Sequence, residues 1–565
     1  MILFHPNQPD FSHLDEKSKE LMVKTIEFFE KKGKVKLKHD DHERVWYADF
    51  LEFQKQAQAF ATLMTPSGYG ASDSRWDSSR NCNFSEILGF YGLAYWYTWQ
   101  VSMLGLGPIW NSKNEDMRKR AAQYLQEGEI FAFGLSEKEH GADLIGTDMM
   151  LEKKADGTYI ADGDKYYIGN ANKAAMVSVF GKMKDSGQYV FFVADARRPD
   201  YKLIKNTTNS QNYVAEFLLE NYPVASNEIL DMGRDAWDSS LSTIAYCKYN
   251  LGWASVGMST HALYEALNHA SKRKLYNMYV TDFPHVKQLF VDAYSRLVAM
   301  RLFTARASDY MKSASAEDRR YLLYNPMVKM KVTMQGEEVV NLIWDVIAAK
   351  GFEKDMFFEM AARDIRALPK LEGTAHVNMI LINNFIQSFL FESKEYPEVP
   401  FQEKSNDEFL FNQGATTKGL KNILFHDYNL AYAKKDLPNI RVFKEQIDTL
   451  KYFLKDSPLE KAQTRDIDFM LPFGEIFTLI PYGQLVIENA IHTNLPDEIL
   501  DQIFDFMVRD FSKYALQVYS KPSATGKQLE NLMKMIKKPI TDENRYNKVW
   551  QEHVFTLAGV YEMKP

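Results

Sequence analysis

The spacing of apolar and polar residues changes along this chain, and each change marks a different kind of structure. Residues 16–32 place Leu21, Met22, Ile26 and Phe29 on one helical face. A loop rich in Gly, Ser and Asp follows at 66–79. An apolar, aromatic stretch at 84–106 then predicts a buried helix, and 114–127 predicts a polar one. From 131 to about 231 the pattern becomes short apolar runs broken by turn residues. Thr158-Tyr159-Ile160-Ala161 leads through Asp162-Gly163-Asp164 into Lys165-Tyr166-Tyr167-Ile168, and 189–194 is a further run. Such β-branched and aromatic enrichment with Asp-Gly punctuation predicts a small β-domain. Helical spacing returns near 241 and persists to 391, with Leu251, Met258, Ala262, Ala266 and Ala270 on one face. Further helices are predicted at 286–311 and 326–349, with Pro326 as a first helical residue.

The fold class expected from this order is α+β. It comprises an N-terminal helical domain (1–130), a middle β-domain (131–238), a second helical domain (239–395) and a C-terminal helical extension (401–565). A charged linker with Pro397 and Pro400 lies near 393–406. Strands and helices do not alternate, which disfavours a dinucleotide-binding βαβ fold. Gly105-Leu106-Gly107 lacks both the third glycine and the strand–helix setting of a phosphate loop.

Composition narrows the function classes. The 565 residues carry 68 basic and 75 acidic side chains, a net charge of −7 that gives no pull toward nucleic acid or an anionic membrane surface. Cys82 and Cys247 are the only cysteines, which excludes a disulfide framework and Cys-based zinc or iron–sulfur sites. With no signal-peptide pattern at the N-terminus, a reducing, cytoplasmic location is expected. The most apolar window, 469–491, contains Glu475, Gln484, Glu488 and two prolines, and reads as a buried helical region and not a membrane span. There is no G-x-S-x-G elbow, Walker A loop or H-E-x-x-H, and the 12 histidines show no metal-ligand spacing.

Two stretches carry candidate chemistry. In Arg363-Asp364-Ile365-Arg366-Ala367-Leu368-Pro369-Lys370-Leu371-Glu372-Gly373-Thr374, Pro369 is expected to stop the preceding helix and Thr374 to cap the next. That places Glu372 in a short loop at a helix N-terminus, beside a glycine that lets a ligand approach the backbone. Burial there would turn the carboxylate into a base; a solvated loop glutamate is the competing reading. The second stretch, Phe131-Ala132-Phe133-Gly134-Leu135-Ser136-Glu137-Lys138-Glu139-His140-Gly141-Ala142-Asp143, reads as a strand entering the β-domain followed by a polar loop suited to a polar ligand.

These motifs give the chain a specific resemblance over about residues 40–395. Leu371-Glu372-Gly373-Thr374 resembles the catalytic Glu-Gly-Thr loop of the acyl-CoA dehydrogenases, with Arg363-Asp364 at the family's distance before it. Ala348-Ala349-Lys350-Gly351-Phe352 is similar to the family's Gly-Gly-x-Gly-Phe turn. Ser136-Glu137 through Gly141-Ala142-Asp143 resembles its Thr-Glu-x-x-x-Gly-Ser-Asp loop, and Gly163 to Asn170 its Gly-x-Lys-x-Trp-Ile-Thr-Asn strand. Val256-Gly257 and Arg273 match the helix that ends in a cofactor-binding arginine.

The resemblance implies a flavoprotein in which Glu372 removes the α-proton of a fatty acyl-CoA while FAD accepts the β-hydrogen as hydride, giving a trans-2-enoyl-CoA. It implies FAD contacts from Ser136, Ala142, Tyr167, Gly169, Thr374 and His376, with Arg273 pairing with the pyrophosphate of a neighbouring subunit's FAD. Lys248 and Gly373 would lie at the substrate. It also implies an electron-transfer flavoprotein as acceptor and a homodimer or homotetramer. The segment after 401 resembles the extra helical domain of very-long-chain members. The chain departs from the family pattern at several points: Tyr167 stands for Trp, Gly169 for Thr, Ala142 for Ser and Asp345 for Gln, and Lys274-Leu275-Tyr276 follows Arg273. Two alternatives therefore accompany the main reading. One is an oxygen-using acyl-CoA oxidase, which Glu139-His140-Gly141 resembles; the other is a flavin-poor member acting as a binding or assembly protein.

Overall fold

The structure is a computed structural model that describes residues 2–401 and 407–565. Residues 402–406 of the expected linker lie outside the described residues. Helices fill the chain up to Gln126, the strands of the main sheet lie between Phe131 and Met232, and helices dominate from Arg234 onward, interrupted by a two-stranded antiparallel ribbon of Lys274–Leu275 and Met278–Tyr279. The α+β class is therefore observed.

The apolar stretch at 84–106 forms two helices, Ser78–Tyr91 and Leu93–Asn111, parted at Gly92. Periodicity alone ran across this break because both helices are buried on nearly every side, so no exposed polar face marks where one ends and the other begins. Gly105 and Gly107 lie inside the second helix. A Cβ at Gly105 would fall 2.6 Å from the Ala132 backbone, so this glycine serves close packing against the sheet.

The strands are β1 (Phe131–Gly134), β2 (Met150–Lys153), β3 (Tyr159–Gly169), β4 (Met176–Met183), β5 (Tyr189–Ala194), β6 (Tyr201–Asn206), β7 (Val214–Val224) and β8 (Ile229–Met232). They form one sheet in the order β6-β7-β3-β2-β4-β5-β8, with β1 pairing in parallel with β4. The expected Asp162-Gly163-Asp164 turn is not a turn. β3 runs through it as one 11-residue strand paired to β7, with register shifts at Ala161/Gly163 and at Lys165/Ile168. Gly163, at φ 145°, absorbs the first irregularity. The second leaves Tyr167 in the left-handed region at φ 66° and turns its side chain outward, so that it is 44% exposed between half-buried Tyr166 and buried Ile168.

The second helical region is built on Arg234–Cys247, Tyr249–Lys272 and Pro284–Lys312. Pro326 does not begin a helix. It lies inside Tyr321–Met327, which continues through a π-helical turn at Val328–Val332 into Thr333–Ile347. Proline has no N–H to give to the preceding turn, and the wider π turn follows it directly. Pro369 likewise does not stop the preceding helix, which ends at Asp364; irregular turns occupy the interval to Thr374.

The C-terminal helices Pro438–Asp456, Ile467–His492 and Asp497–Tyr519 dock on the same chain. Three buried ion pairs join the two parts: Arg296 bonds Asp510 through both guanidinium nitrogens at 2.8 and 2.9 Å, Lys331 meets Glu475 at 3.0 Å, and Arg306 meets Glu488 at 2.8 Å. The Ile467–His492 helix is long and apolar enough to cross a membrane by length and composition. Here it is packed among other helices, and its apolar positions from Phe473 to Ile487 are buried.

Candidate functional site

Glu372 lies in the loop between the helix ending at Asp364 and the helix Ala375–Asn383. Its backbone is left-handed, φ 52°, and Gly373 follows at φ 84°. A non-glycine residue in that region costs on the order of 1 kcal/mol or more and persists only where its surroundings hold it. Here the surroundings are specific. Lys329 Nζ donates to Pro369 O at 2.6 Å, fixing the start of the loop. Asn378 Nδ2 donates to Gly373 O at 3.1 Å and Thr374 O at 3.0 Å, fixing its end. Lys248 Nζ donates to Asn378 Oδ1 at 2.7 Å and so orients that amide. Thr374 does occupy the N-cap, but its side chain makes no capping bond.

The carboxylate itself is held on one side only. Gln100 Nε2 donates to Glu372 Oε1 at 2.7 Å, while Oε2 is sealed from solvent and has no partner. Burial pushes the Glu372 carboxyl up to about 7; the Gln100 hydrogen bond and the charges of Lys329 and Lys248 limit the rise. Burial conversely pulls Lys248 down to about 8 and Lys329 to about 7, with Glu372 opposing both shifts. A carboxylate poised near neutrality, with a free and desolvated oxygen, is equipped to take or give a proton.

The other expected site residues fall into three places. Lys248 and Gly373 belong to the Glu372 cluster through the contacts above. Tyr167 and Gly169 lie at the end of β3. Gly169 is buried, and a Cβ there would meet Tyr97 Cε1 at 2.7 Å and Val101 Cγ1 at 2.8 Å, so a hydroxyl-bearing residue has no room. Tyr97 ties this end to Glu372: its phenol is pushed up by burial and by the nearness of Tyr167 and Glu372. Ser136 backs the same strand, its Oγ donating to Tyr166 O at 2.8 Å and its carbonyl accepting from the Tyr166 N–H at 3.0 Å.

Thr374 and His376 are exposed beside the loop, and Ala142 is exposed next to Asp143. Arg273 is exposed at the end of Tyr249–Lys272, where its Nη1 lies 3.4 Å from His269 Nε2. No described contact joins Ala142 or Arg273 to Glu372 in this chain. The sequence reading missed Gln100, Lys329, Asn378 and Tyr97. Three of them were visible as polar residues stranded in apolar helical runs, a pattern that marks a buried group with a partner.

The site fits a flat redox cofactor at one end. It offers a half-open aromatic face at Tyr167 and a desolvated carboxylate with one unpartnered oxygen at Glu372, both within electrostatic reach of Tyr97. At a phosphate-bearing end, Arg273 is a cation without a carboxylate partner among the described residues, while Ala142 offers no side-chain donor. Among the described residues, two carboxylate–histidine groups elsewhere have potential ligand atoms close enough together for a metal: Glu137, His140 and Asp148, and Glu498, Glu552 and His553. Each is already internally bonded. Glu137 accepts from Lys165, Thr147 and the Asp148 N–H, and Glu498 from Lys548 and His553.

Comparison with known proteins agrees with this geometry. Residues 235–387 match the acyl-CoA dehydrogenase C-terminal domain. The chain is 22% identical over 344 residues to a 3-(aryl)acrylate reductase of Clostridium sporogenes, covering 59% of this chain and 89% of the relative. It is 22% identical over 337 residues to the caffeyl-CoA reductase-Etf complex subunit CarC of Acetobacterium woodii, covering 58% and 86%. A crystal structure of an acyl-CoA dehydrogenase complexed with FAD from Bacillus anthracis superposes with a TM-score of 0.74 at 15% identity. It covers 98% of this chain and 97% of that one, so the C-terminal helices are part of the shared fold.

Proposed function

We propose that the chain, whose residues 235–387 match the acyl-CoA dehydrogenase C-terminal domain and whose fold is shared with an acyl-CoA dehydrogenase, is a member of that family: a FAD-dependent oxidoreductase acting on the CH–CH bond α,β to the thioester of a fatty acyl-CoA. The observation that carries this reading is Glu372: a carboxylate with one oxygen anchored to Gln100, the other buried and free, and a proton affinity raised to about 7.

The chemistry follows from that arrangement. An α-C–H is too weak an acid until its carbonyl is polarised, a task suited to the Glu372 backbone N–H. Oε2 then takes the α-proton, since Oε1 is engaged. Glu372 becomes neutral at that moment. The Lys248 and Lys329 ammonium groups, bonded to Asn378 and Pro369, lose that counter-charge, and their positive potential around the site favours the acyl anion as it forms. FAD, when bound, supplies the acceptor for the β-hydrogen as hydride, so the product is a trans-2-enoyl-CoA. Tyr167 and Ser136 would hold the ring and Thr374 and His376 the cofactor beside the loop. Arg273 would reach the pyrophosphate of a neighbouring copy, which makes a homodimer or homotetramer part of the proposal. An electron-transfer flavoprotein as acceptor is supported by the Etf complex named for the Acetobacterium relative. Two buried free cysteines accord with a reducing, cytoplasmic setting.

A proton affinity near neutrality also allows Glu372 to return the proton. Two relatives are named reductases, so the same site running as an enoyl-CoA reductase is the second reading. Anaerobic titration of the purified protein with acyl-CoAs tests the proposal: bleaching of a flavin band, lost in Glu372→Gln, is expected. A colourless protein that binds no flavin refutes it in favour of the binding-protein reading. Peroxide release without another acceptor favours the oxidase reading.

A further inference from the structure

We propose that the core side of the Glu372 site is plugged by a buried hydrogen-bonded chain, with Gln100 and Asn250 as its decisive members, that confines the substrate to short acyl groups. The inference rests on the assignment of Glu372 as the proton-transferring base and adds the class of acyl chain it serves.

The plug begins at the base itself. Gln100 Nε2, which donates to Glu372 Oε1 at 2.7 Å, also approaches Cys247 O at 3.3 Å. Gln100 Oε1 accepts from Asn250 Nδ2 at 3.0 Å, and that nitrogen lies 2.9 Å from Met103 Sδ. Asn250 Oδ1 accepts from Ser85 Oγ at 3.1 Å, and Ser85 Oγ accepts from Trp99 Nε1 at 3.3 Å. The chain thus crosses three helices, Ser78–Tyr91, Leu93–Asn111 and Tyr249–Lys272. Gln100, Asn250, Ser85, Trp99, Met103 and Cys247 are all 0% exposed, so no water-sized space touches any of them.

The helices cannot easily part to make such a space. A Cβ at Gly257 would fall 2.1 Å from Glu86 O, and one at Gly89 would fall 2.6 Å from the Ala254 backbone, so Ser78–Tyr91 and Tyr249–Lys272 touch main chain to main chain. An alkyl chain running inward from the α-carbon must therefore displace a carboxamide whose partner is the base. Each buried hydrogen bond it strips without replacement weakens binding by roughly tenfold to a hundredfold. Running outward, a long chain reaches the Thr374 and His376 edge, which is exposed in this chain and which the proposed function gives to the cofactor, so it finds no buried apolar pocket there. A short acyl group needs neither route.

The test is a chain-length series on the purified holoenzyme with butyryl-, octanoyl- and palmitoyl-CoA. Dissociation constants come from isothermal titration calorimetry, and anaerobic flavin bleaching is followed in parallel. Butyryl-CoA is expected to bind at least roughly tenfold more tightly than palmitoyl-CoA and to bleach the flavin faster. Asn250→Ala, which shortens the plug without touching Glu372, is expected to shift the octanoyl-to-butyryl affinity ratio toward the longer chain by roughly tenfold. Palmitoyl-CoA binding as tightly as butyryl-CoA, or more so, overturns the inference while leaving Glu372 as base. Bleaching by no acyl-CoA overturns both. Because the wild-type series decides alone, failure of the variant to fold does not protect the proposal.

Discussion

Glu372→Gln separates the two properties claimed for this side chain, its chemistry and its burial. Glutamine keeps the shape and accepts the Gln100 hydrogen bond through its carbonyl, but it neither titrates nor takes a proton. Turnover is expected to fall by at least about 10²–10⁴-fold, the usual contribution of a positioned general base. Stability is expected to move the other way. The carboxyl is shifted from its usual 4.5 up to about 7, which corresponds to roughly 3 kcal/mol of unfavourable burial once the group is ionised. The sign follows from proton counting. Between those two pH values the folded state binds more protons than the unfolded one, so wild-type stability falls as pH rises from about 4.5 through 7. Lys248 and Lys329, pulled down to about 8 and 7, offer less compensation as they lose their own charge above those values. Glu372→Gln should therefore melt higher than wild type at pH 8, by about 1–5 °C, and equal it near pH 5, where the wild-type carboxyl is already protonated. Differential scanning calorimetry at the two pH values is the assay. A variant less stable than wild type at pH 8 would show that the carboxylate is better solvated than its sealed oxygen indicates; full retention of turnover would remove Glu372 from the mechanism.

Lys329→Met removes both a cation near the base and the hydrogen bond to Pro369 O. The acid limb of the activity profile, on which Glu372 ionises, should move to higher pH, because one charge that favours the carboxylate is gone, and an unmoved pH–rate profile would contradict the electrostatic coupling. Gly169→Ala should cost about 1–3 kcal/mol by forcing a Cβ against Tyr97 and Val101; an unchanged unfolding midpoint in urea would show that these side chains yield freely. Arg296→Ala strands the buried Asp510 carboxylate and should destabilise the docking of the C-terminal helices by about 3–5 kcal/mol. Limited proteolysis reads this as faster cutting in the C-terminal region, and protection equal to wild type would show that the ion pair is replaceable.

Local patterns settled much of this protein in advance. Periodicities of helix and strand are properties of neighbouring residues, so the order of helices, sheet and helices was legible. So was the placement of Glu372 in a loop before an apolar helix, because Gly373 and Thr374 are adjacent in the chain. What eluded the linear reading were features created by contacts between distant segments. Asp162-Gly163-Asp164 looks like a turn in isolation, and only pairing with β7 stretches it into a bulged strand that throws Tyr167 outward. Pro326 looks like a helix start, but packing carries the helix through it into a π turn that delivers Lys329 to the Glu372 loop.

The distinction is sharpest at the base. That residue 372 is a glutamate able to accept a proton was written in the sequence. That its proton affinity rises toward neutrality, that one oxygen is spent on a glutamine 272 residues away and that the other is left free were decided by tertiary structure alone. Desolvation and hydrogen bonding depend on what surrounds a group in space, and the chain brings those surroundings from three separate helices.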